Sequence, residues 1–262
     1  AELEALGVEE THVGSALLGG TVRRALTAVE YAYNLVGTME ADNEEAYLEA
    51  NETVAHKMAL AANVSAKPRL MFLSFIEASP ASDNFFLRYK GRGEQGIVMN
   101  LRNHMILRSS WILYPGCPLL RLCDALLASP DVPIAGTGNN LIQPIALDDA
   151  VEFLIEATDC REKGMDILEI GGADRISFKD FLRKVAQLKG ITRIPEFKPK
   201  PTGLAGLAAK LRGAIGTSRA DVHPTVLDLA SRNATADLVG TARWLEHKPQ
   251  GLDAALKDAM GV

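Results

Sequence analysis

RLMFLSFIEASPASDNFFLRYKGRGEQGIVMNLRNHMILRS, residues 69–109, holds the pattern that decides the fold. An apolar run, RLMFLS (69–74), leads into a helical stretch over 86–100, and a second apolar run, HMILRS (104–109), follows. Runs that are apolar at nearly every position belong to strands buried on both faces. Two of them joined by a helix of period 3.6 define a βαβ unit, hence a parallel sheet. Upstream, the same alternation predicts a short strand at His12 and Val13 and a helix over 21–29 with Val22, Ala25, Leu26 and Val29 on one face. The buried strand YAYNLVG (31–37) and a long helix over 44–62 follow. Downstream it predicts a helix over 119–128, strands near 132–135 and 143–147, a helix over 149–157 and the strand MDILEIGG (165–172). Ser177 then caps a helix reaching Leu188, with Asp180 completing a capping-box-like start. KPKPTG (198–203) reads as an exposed connection, and the remainder as helix broken at Pro224 and Pro249. The expected class is α/β: a doubly wound parallel sheet with a small, mostly helical carboxy-terminal part.

Composition narrows the function classes. A chain of 262 residues with 47% hydrophobic and 23% charged side chains has the ordinary balance of a globular protein with a sizeable core. Its net charge of -5 argues against a nucleic-acid partner, because phosphate binding wants a basic face. No apolar run reaches the roughly 18 residues that a spanning helix needs. Cys117, Cys123 and Cys160 are odd in number and lack metal-ligand spacing, which predicts free thiols and a reducing, cytoplasmic setting. His12, His56, His104, His223 and His247 form no ligand pair at helical spacing, so no metal is expected. There is no Gly-x-Ser-x-Gly elbow, which lowers a hydrolase reading. The first residue, Ala1, lies inside a helical pattern without a preceding cap. An incomplete amino terminus is therefore expected, and a targeting segment stays open.

Several segments in order resemble the extended and atypical short-chain dehydrogenases, and most closely their NmrA-like branch, which includes the Rossmann accessory subunit of respiratory complex I. AELEALGVEETHVG (1–14) resembles the second helix and third strand of that fold, and YAYNLVG its fourth strand. NETVAHKMALAA (51–62) is similar to the family's asparagine-led helix, and FLRYKGRGEQ (86–95) to the helix carrying its tyrosine–lysine pair. RLMFLS ends where the family places its active-site serine or threonine. MILRSSWILYPG (105–116) resembles the arginine strand and substrate loop, and residues 134–154 and 168–182 resemble the return segments. The resemblance covers almost the whole chain. It implies a Rossmann-like nucleotide-binding portion over 1–170, amino-terminally incomplete, and a smaller substrate or partner portion over 171–262.

Two departures from the family pattern bear on chemistry. No Gly-x-x-Gly-x-x-Gly lies between a strand and a helix, and this is the loop that lets backbone N–H groups approach a pyrophosphate. On the resemblance, the first strand, its helix and the second strand are absent. Gly19-Gly20 and Gly136-x-Gly138 read as turn glycines and do not replace that loop. The second departure is the missing tyrosine: Lys90 is present, but position 86 is phenylalanine, which has no ionisable proton. Tyr89 is a replacement only against the rule that adjacent helix residues face apart.

The resemblance implies that NAD or NADP is the cofactor. Lys90 would hold the nicotinamide ribose, Gly37 would permit close cofactor approach, and Ser74 would polarise a carbonyl substrate. The local alternatives are that Gly37 ends a strand and that Ser74 caps nearby backbone. Asn51, with Ser74, would join Gly37 and Lys90 at the cofactor; the local readings of Asn51 are that it orders a water or a neighbouring strand, or faces solvent on its helix. Arg108 pairs either an anionic substrate group or a local carboxylate, and Asp148 and Asp149 read as a helix cap. Two functions follow. One is an NAD(P)-dependent oxidoreductase or epimerase-like protein acting on a small molecule; the other is a non-catalytic dinucleotide-binding subunit or redox sensor with a protein partner. A third expectation is that the chain as written binds no cofactor and associates through open strand edges, so an oligomer is expected as an alternative state.

Overall fold

The computed structural model describes residues 5–11, 14–65, 68–128, 137–160, 166–192 and 223–262. The strand expectations at His12 and Val13 and at 132–135, the connection at 198–203, and Gly136 lie outside them.

A four-stranded parallel sheet forms the centre, in the order β1 (Tyr31–Asn34), β2 (Arg69–Phe75), β3 (His104–Ser109) and β7 (Ile167–Ile170). Its register sets Leu70 beside His104 and Ser74 beside Arg108. Alternation along β2 and β3 divides the core between two faces. Leu70, Phe72 and Ile106 pack on one side against α1 (Gly19–Ala25), α3 (Val54–Val64) and α4 (Phe85–Asn100). Met71, Met105 and Leu107 pack on the other against α6 (Leu147–Asp159) and β7. Both faces are therefore apolar, as a doubly wound parallel sheet requires.

A third cluster lies at the carboxyl end of the strands. Phe75, Phe86 and Trp111 meet there residues of α5 (Pro118–Ala128), α7 (Phe178–Leu188), α8 (Pro224–Leu229) and α10 (Leu252–Met260). Short pairs complete the frame: β4 (Ile112–Leu113) runs parallel to β6 (Ile145–Ala146), and β5 (Leu141–Ile142) runs antiparallel to β8 (Ile176–Ser177). α9 (Leu238–Thr241) packs against β7, where Thr241 Oγ1 donates to the Glu169 carbonyl at 2.6 Å.

Several elements differ from the sequence reading, each for a local reason. The strand expected over 31–37 stops at Asn34, whose Oδ1 accepts from Val36 N at 3.1 Å and turns the chain. The long helix is α2 (Glu44–Tyr47), a π-helical stretch (Leu48–Thr53) and α3 in succession. The helix expected to reach Val29 ends at Ala25, and Ala28 has a positive φ of 61°. Pro224 opens α8 at its first turn, where its missing N–H costs nothing. Asp149 is not a cap: Ala146 holds that position without a side-chain bond. The Asp149 carboxylate instead accepts from Gln250 N at 3.0 Å and pairs with His247 Nε2 at 2.8 Å. The Ser177–Asp180 start of α7 is as expected, with Asp180 N donating to Ser177 Oγ at 3.1 Å. Cys117 and Cys123 are buried free thiols whose pKa values desolvation pushes up.

The crossing of α4 over the π-helical stretch positions everything that follows. A Cβ on Gly93 would lie 2.5 Å from the Asn51 carbonyl oxygen, so only glycine permits this approach. Gly93→Ala is expected to destabilise by about 1–3 kcal/mol through forced backbone separation. Urea denaturation measures it, and an unchanged midpoint would contradict the close approach.

Candidate functional site

β2 and β3 end together at the carboxyl edge of the sheet, where open α/β sheets hold ligands. A cavity of about 360 Å³ opens at that edge. Its walls come from the loop after β1 (Gly37–Glu40), the end of β2 (Leu73–Phe75), one face of α4 (Phe86 and Lys90), the segment after β3 (Ser109–Ile112 and Tyr114) and the start of α5 (Pro118 and Arg121).

Three of the residues singled out from sequence, Lys90, Gly37 and Ser74, line this cavity, and a fourth, Asn51, lies behind its loop. Lys90 is 6% exposed, donates from Nζ to the Leu73 carbonyl at 2.9 Å and stands 4.6 Å from the centre of the Phe72 ring. Desolvation lowers its pKa to about 8, and the nearby Glu94 carboxylate opposes that fall. A Cβ on Gly37 would lie 2.8 Å from Lys90 Nζ and 2.9 Å from Asn51 Oδ1, so the loop passes directly over both. Asn51 is fully buried rather than facing solvent. Its Oδ1 accepts from Thr38 N at 3.2 Å, and its Nδ2 donates to the carbonyls of Thr38 and Tyr47. It is therefore the tie between the post-β1 loop and the π-helical stretch, a helix form frequent at functional sites. Ser74 closes the group: its buried Oγ has no hydrogen-bond partner among the described residues. An orphaned buried hydroxyl is costly, and one lining a cavity is satisfied when a ligand supplies the missing partner.

Phe86 also lines the cavity. Its ring makes an edge contact with Phe75 at 5.5 Å, and Phe75 makes another with Trp111 at 5.5 Å. The wall where the family pattern places a phenol is thus purely apolar. Tyr89 is buried rather than on the surface, and its hydroxyl donates to Glu44 Oε1 at 2.6 Å. That bond raises its pKa, and Tyr89 does not line the cavity. Arg108 is likewise engaged elsewhere. Its Nε and Nη2 donate to the two Glu94 oxygens at 2.9 and 2.6 Å, a bidentate pair. The local-carboxylate alternative describes this geometry, and Arg108 is not among the cavity-lining residues.

The sequence reading missed Thr38, Glu40, Ser110, Trp111, Tyr114 and Arg121. Position was the available signal for Thr38 and Glu40 after β1, for Ser110 and Trp111 after β3 and for Tyr114 after β4, whereas Arg121 lies within α5. The Trp111 indole Nε1 is the second buried polar atom on a cavity-lining residue without a partner among the described residues. Among the described residues no group of three or more His, Cys, Asp or Glu is arranged to hold a metal, and no helix is long and apolar enough to cross a membrane.

The strand order and two-sided packing are those of a Rossmann-like α/β fold that this chain shares with solved structures. Solved structures with this fold include UDP-glucose 4-epimerase from Thermotoga maritima, crystallised with UDP-glucose. It is 14% identical, with a TM-score of 0.68 over 94% of this chain and 81% of that one. UDP-glucuronic acid 4-epimerase from Bacillus cereus, in complex with UDP-glucuronic acid and NAD, is 15% identical, with a TM-score of 0.67 over 98% of this chain and 83% of that one. A tyrosine-to-phenylalanine mutant of the Bacillus cereus enzyme, in complex with UDP-4-deoxy-4-fluoro-glucuronic acid and NAD, is 16% identical, with a TM-score of 0.66 over 98% and 82%. No family model and no curated protein matches the sequence.

Proposed function

We propose that this chain is a dinucleotide-binding protein of the short-chain dehydrogenase type, which seats the nicotinamide–ribose end of NAD or NADP in the carboxyl-edge cavity. The observation that carries the reading is the convergence of buried Lys90, Gly37 without a side chain, and orphaned Ser74 on one cavity. Lys90 uses one of its three N–H donors on Leu73, which leaves two for ribose hydroxyls. The bare Cα of Gly37 lets the loop lie against Lys90 and Asn51, and Asn51 holds that loop in place. The ribose end therefore fits the residues present. The pyrophosphate does not have its usual cradle, since no glycine-rich strand-to-helix turn occurs in the sequence.

Phe86 favours binding over catalysis. A phenyl ring donates no proton, and Tyr89 is committed to Glu44. The tyrosine-to-phenylalanine epimerase in complex with NAD and a sugar nucleotide supports the idea that ligand binding and phenol chemistry are separable. The role that follows is a non-catalytic subunit or redox sensor, in which nucleotide stabilises the fold according to its concentration over Kd. One observation favours a second reading, an oxidoreductase or epimerase-like enzyme on a small molecule: Ser74 Oγ is free to polarise a carbonyl. A bound nicotinamide would supply hydride exchange there, and the proton would come from a group other than residue 86.

NADH fluorescence titration of the chain tests the shared claim, and saturable binding weakened by Lys90→Met is expected. Absence of binding by both NADH and NADPH would sink it. Turnover of carbonyl substrates by the parent would favour the enzyme. No turnover by the parent, with activity appearing in Phe86→Tyr, would favour the binding role.

A further inference from the structure

The mouth of the cavity has a charge arrangement that the nucleotide reading does not use. Arg121 and Glu40 both line it, and Arg121 Nη2 donates to Glu40 Oε2. Arg121 belongs to α5, and Glu40 to the loop that Asn51 pins, so the pair bridges the two sides of the opening. Thr38 Oγ1 donates to the Glu40 carbonyl at 2.8 Å and further fixes that side.

The pairing leaves most of Arg121 unused. A guanidinium has five N–H donors in a planar fork, and among the described residues the only partner of Arg121 is this one carboxylate oxygen. Its side chain is 48% exposed and that of Glu40 28%, so the pair lies in solvent reach, where such contacts contribute little and are readily exchanged. The lining charges are Lys90 and Arg121 against Glu40, two cations to one carboxylate, within a chain whose net charge is -5. The Tyr114 phenol, kept protonated by desolvation, also lines the cavity. Among the other polar side chains of the lining, the Ser109 and Ser110 hydroxyls donate to the Ser74 and Ala234 carbonyls, whereas Ser74 Oγ and Trp111 Nε1 have no partner among the described residues. A ligand complementary to this cavity has a neutral polar group at depth, a small apolar body, and an oxyanion at the mouth.

We propose that Arg121 is the anchor for a carboxylate or phosphate group on the small molecule that this cavity takes beside the nucleotide. The proposal rests on the nucleotide reading for its setting and adds the chemical class of the second ligand. Arg121 exchanges its monodentate Glu40 contact for a bidentate one to the ligand, or keeps both, and Glu40 holds the fork in place before the ligand arrives.

The test uses Trp111 as the reporter, in a Trp244→Phe background so that one indole remains. The probes are levulinate, its neutral methyl ester, and inorganic phosphate, with and without NADH. Levulinate is expected to bind about tenfold or more tighter than the ester, the range of a charge-assisted hydrogen bond. Arg121→Gln should abolish that preference, Arg121→Lys should retain part of it, and Glu40→Gln should tighten levulinate or phosphate by freeing the fork. Equal affinity for levulinate and ester in the parent overturns the proposal. So does a preference that survives Arg121→Gln, or a failure of both levulinate and phosphate to bind. Retained NADH binding with no charge preference removes this inference alone. A charge preference dependent on Arg121 without any NADH binding removes the nucleotide reading and leaves the oxyanion site standing.

Discussion

Lys90→Met is expected to make the protein more stable at neutral pH while weakening nucleotide binding. An ammonium buried in α4 between Phe72 and the Leu73 carbonyl loses hydration that one hydrogen bond does not restore. Its pKa falls from 10.5 to about 8, and a shift of that size corresponds to about 3 kcal/mol. The side chain is charged in both states below pH of about 8, so there the burial cost is fully present. Between that pH and 10.5 the folded protein binds fewer protons than the unfolded chain, so stability rises with pH. Above 10.5 both states are neutral and the cost is gone. Methionine removes the charge, and also a hydrogen bond worth about 1 kcal/mol. The net gain near pH 7 is about 2 kcal/mol, shrinking as pH rises toward 10. Urea denaturation of parent and variant across that range reads the difference directly, since other titrations cancel. A variant less stable than the parent at neutral pH would show the ammonium to be structurally compensated. Stability given up at a cavity residue is what a retained functional group predicts.

The largest loss is expected at Glu94. Its side chain is 6% exposed and takes both fork hydrogens of Arg108. Glu94→Ala leaves that guanidinium without its partner beside the sheet, which costs on the order of 3 kcal/mol. For a chain of this size that lowers Tm by roughly 6–12 °C. It also withdraws the carboxylate that holds the Lys90 pKa up, so Lys90 should titrate lower still. The double variant Glu94→Leu with Arg108→Met should recover most of the lost stability, because removing both charges leaves none unpaired. Equal loss in the single and double variants would show that packing, not charge pairing, accounts for the effect. Arg108 sits in register with Ser74 and directly precedes Ser109, which lines the cavity. Its position at a strand end suggested a substrate role, and the carboxylate that engages it comes from α4, fourteen residues away in sequence.

That case shows where the sequence stopped being informative. Side-chain type and strand-end position were legible for Ser74 and Arg108 alike, because a parallel sheet collects its strand ends on one edge, and Lys90 was legible by type on its helix. Which of them faces the cavity depends on helix azimuth and on partners brought from other elements. Asn51 shows the same limit: on a regular helix it reads as solvent-facing, whereas the π-helical stretch turns it under the post-β1 loop. Arg121 and Glu40 carried no signal of pairing at all, being eighty-one positions apart.

The sequence by itself determined that strands buried on both faces alternate with helices, because continuous apolar runs and a 3.6 period are properties of neighbouring residues. It also determined that residue 86 supplies no proton, since that is a matter of covalent structure. Only the tertiary structure decided that Lys90, Gly37 and Ser74 share one cavity, with Asn51 tying down its loop, while Tyr89 and Arg108 turn to carboxylates. Distances between side chains from separate elements follow from packing, and no local pattern encodes them.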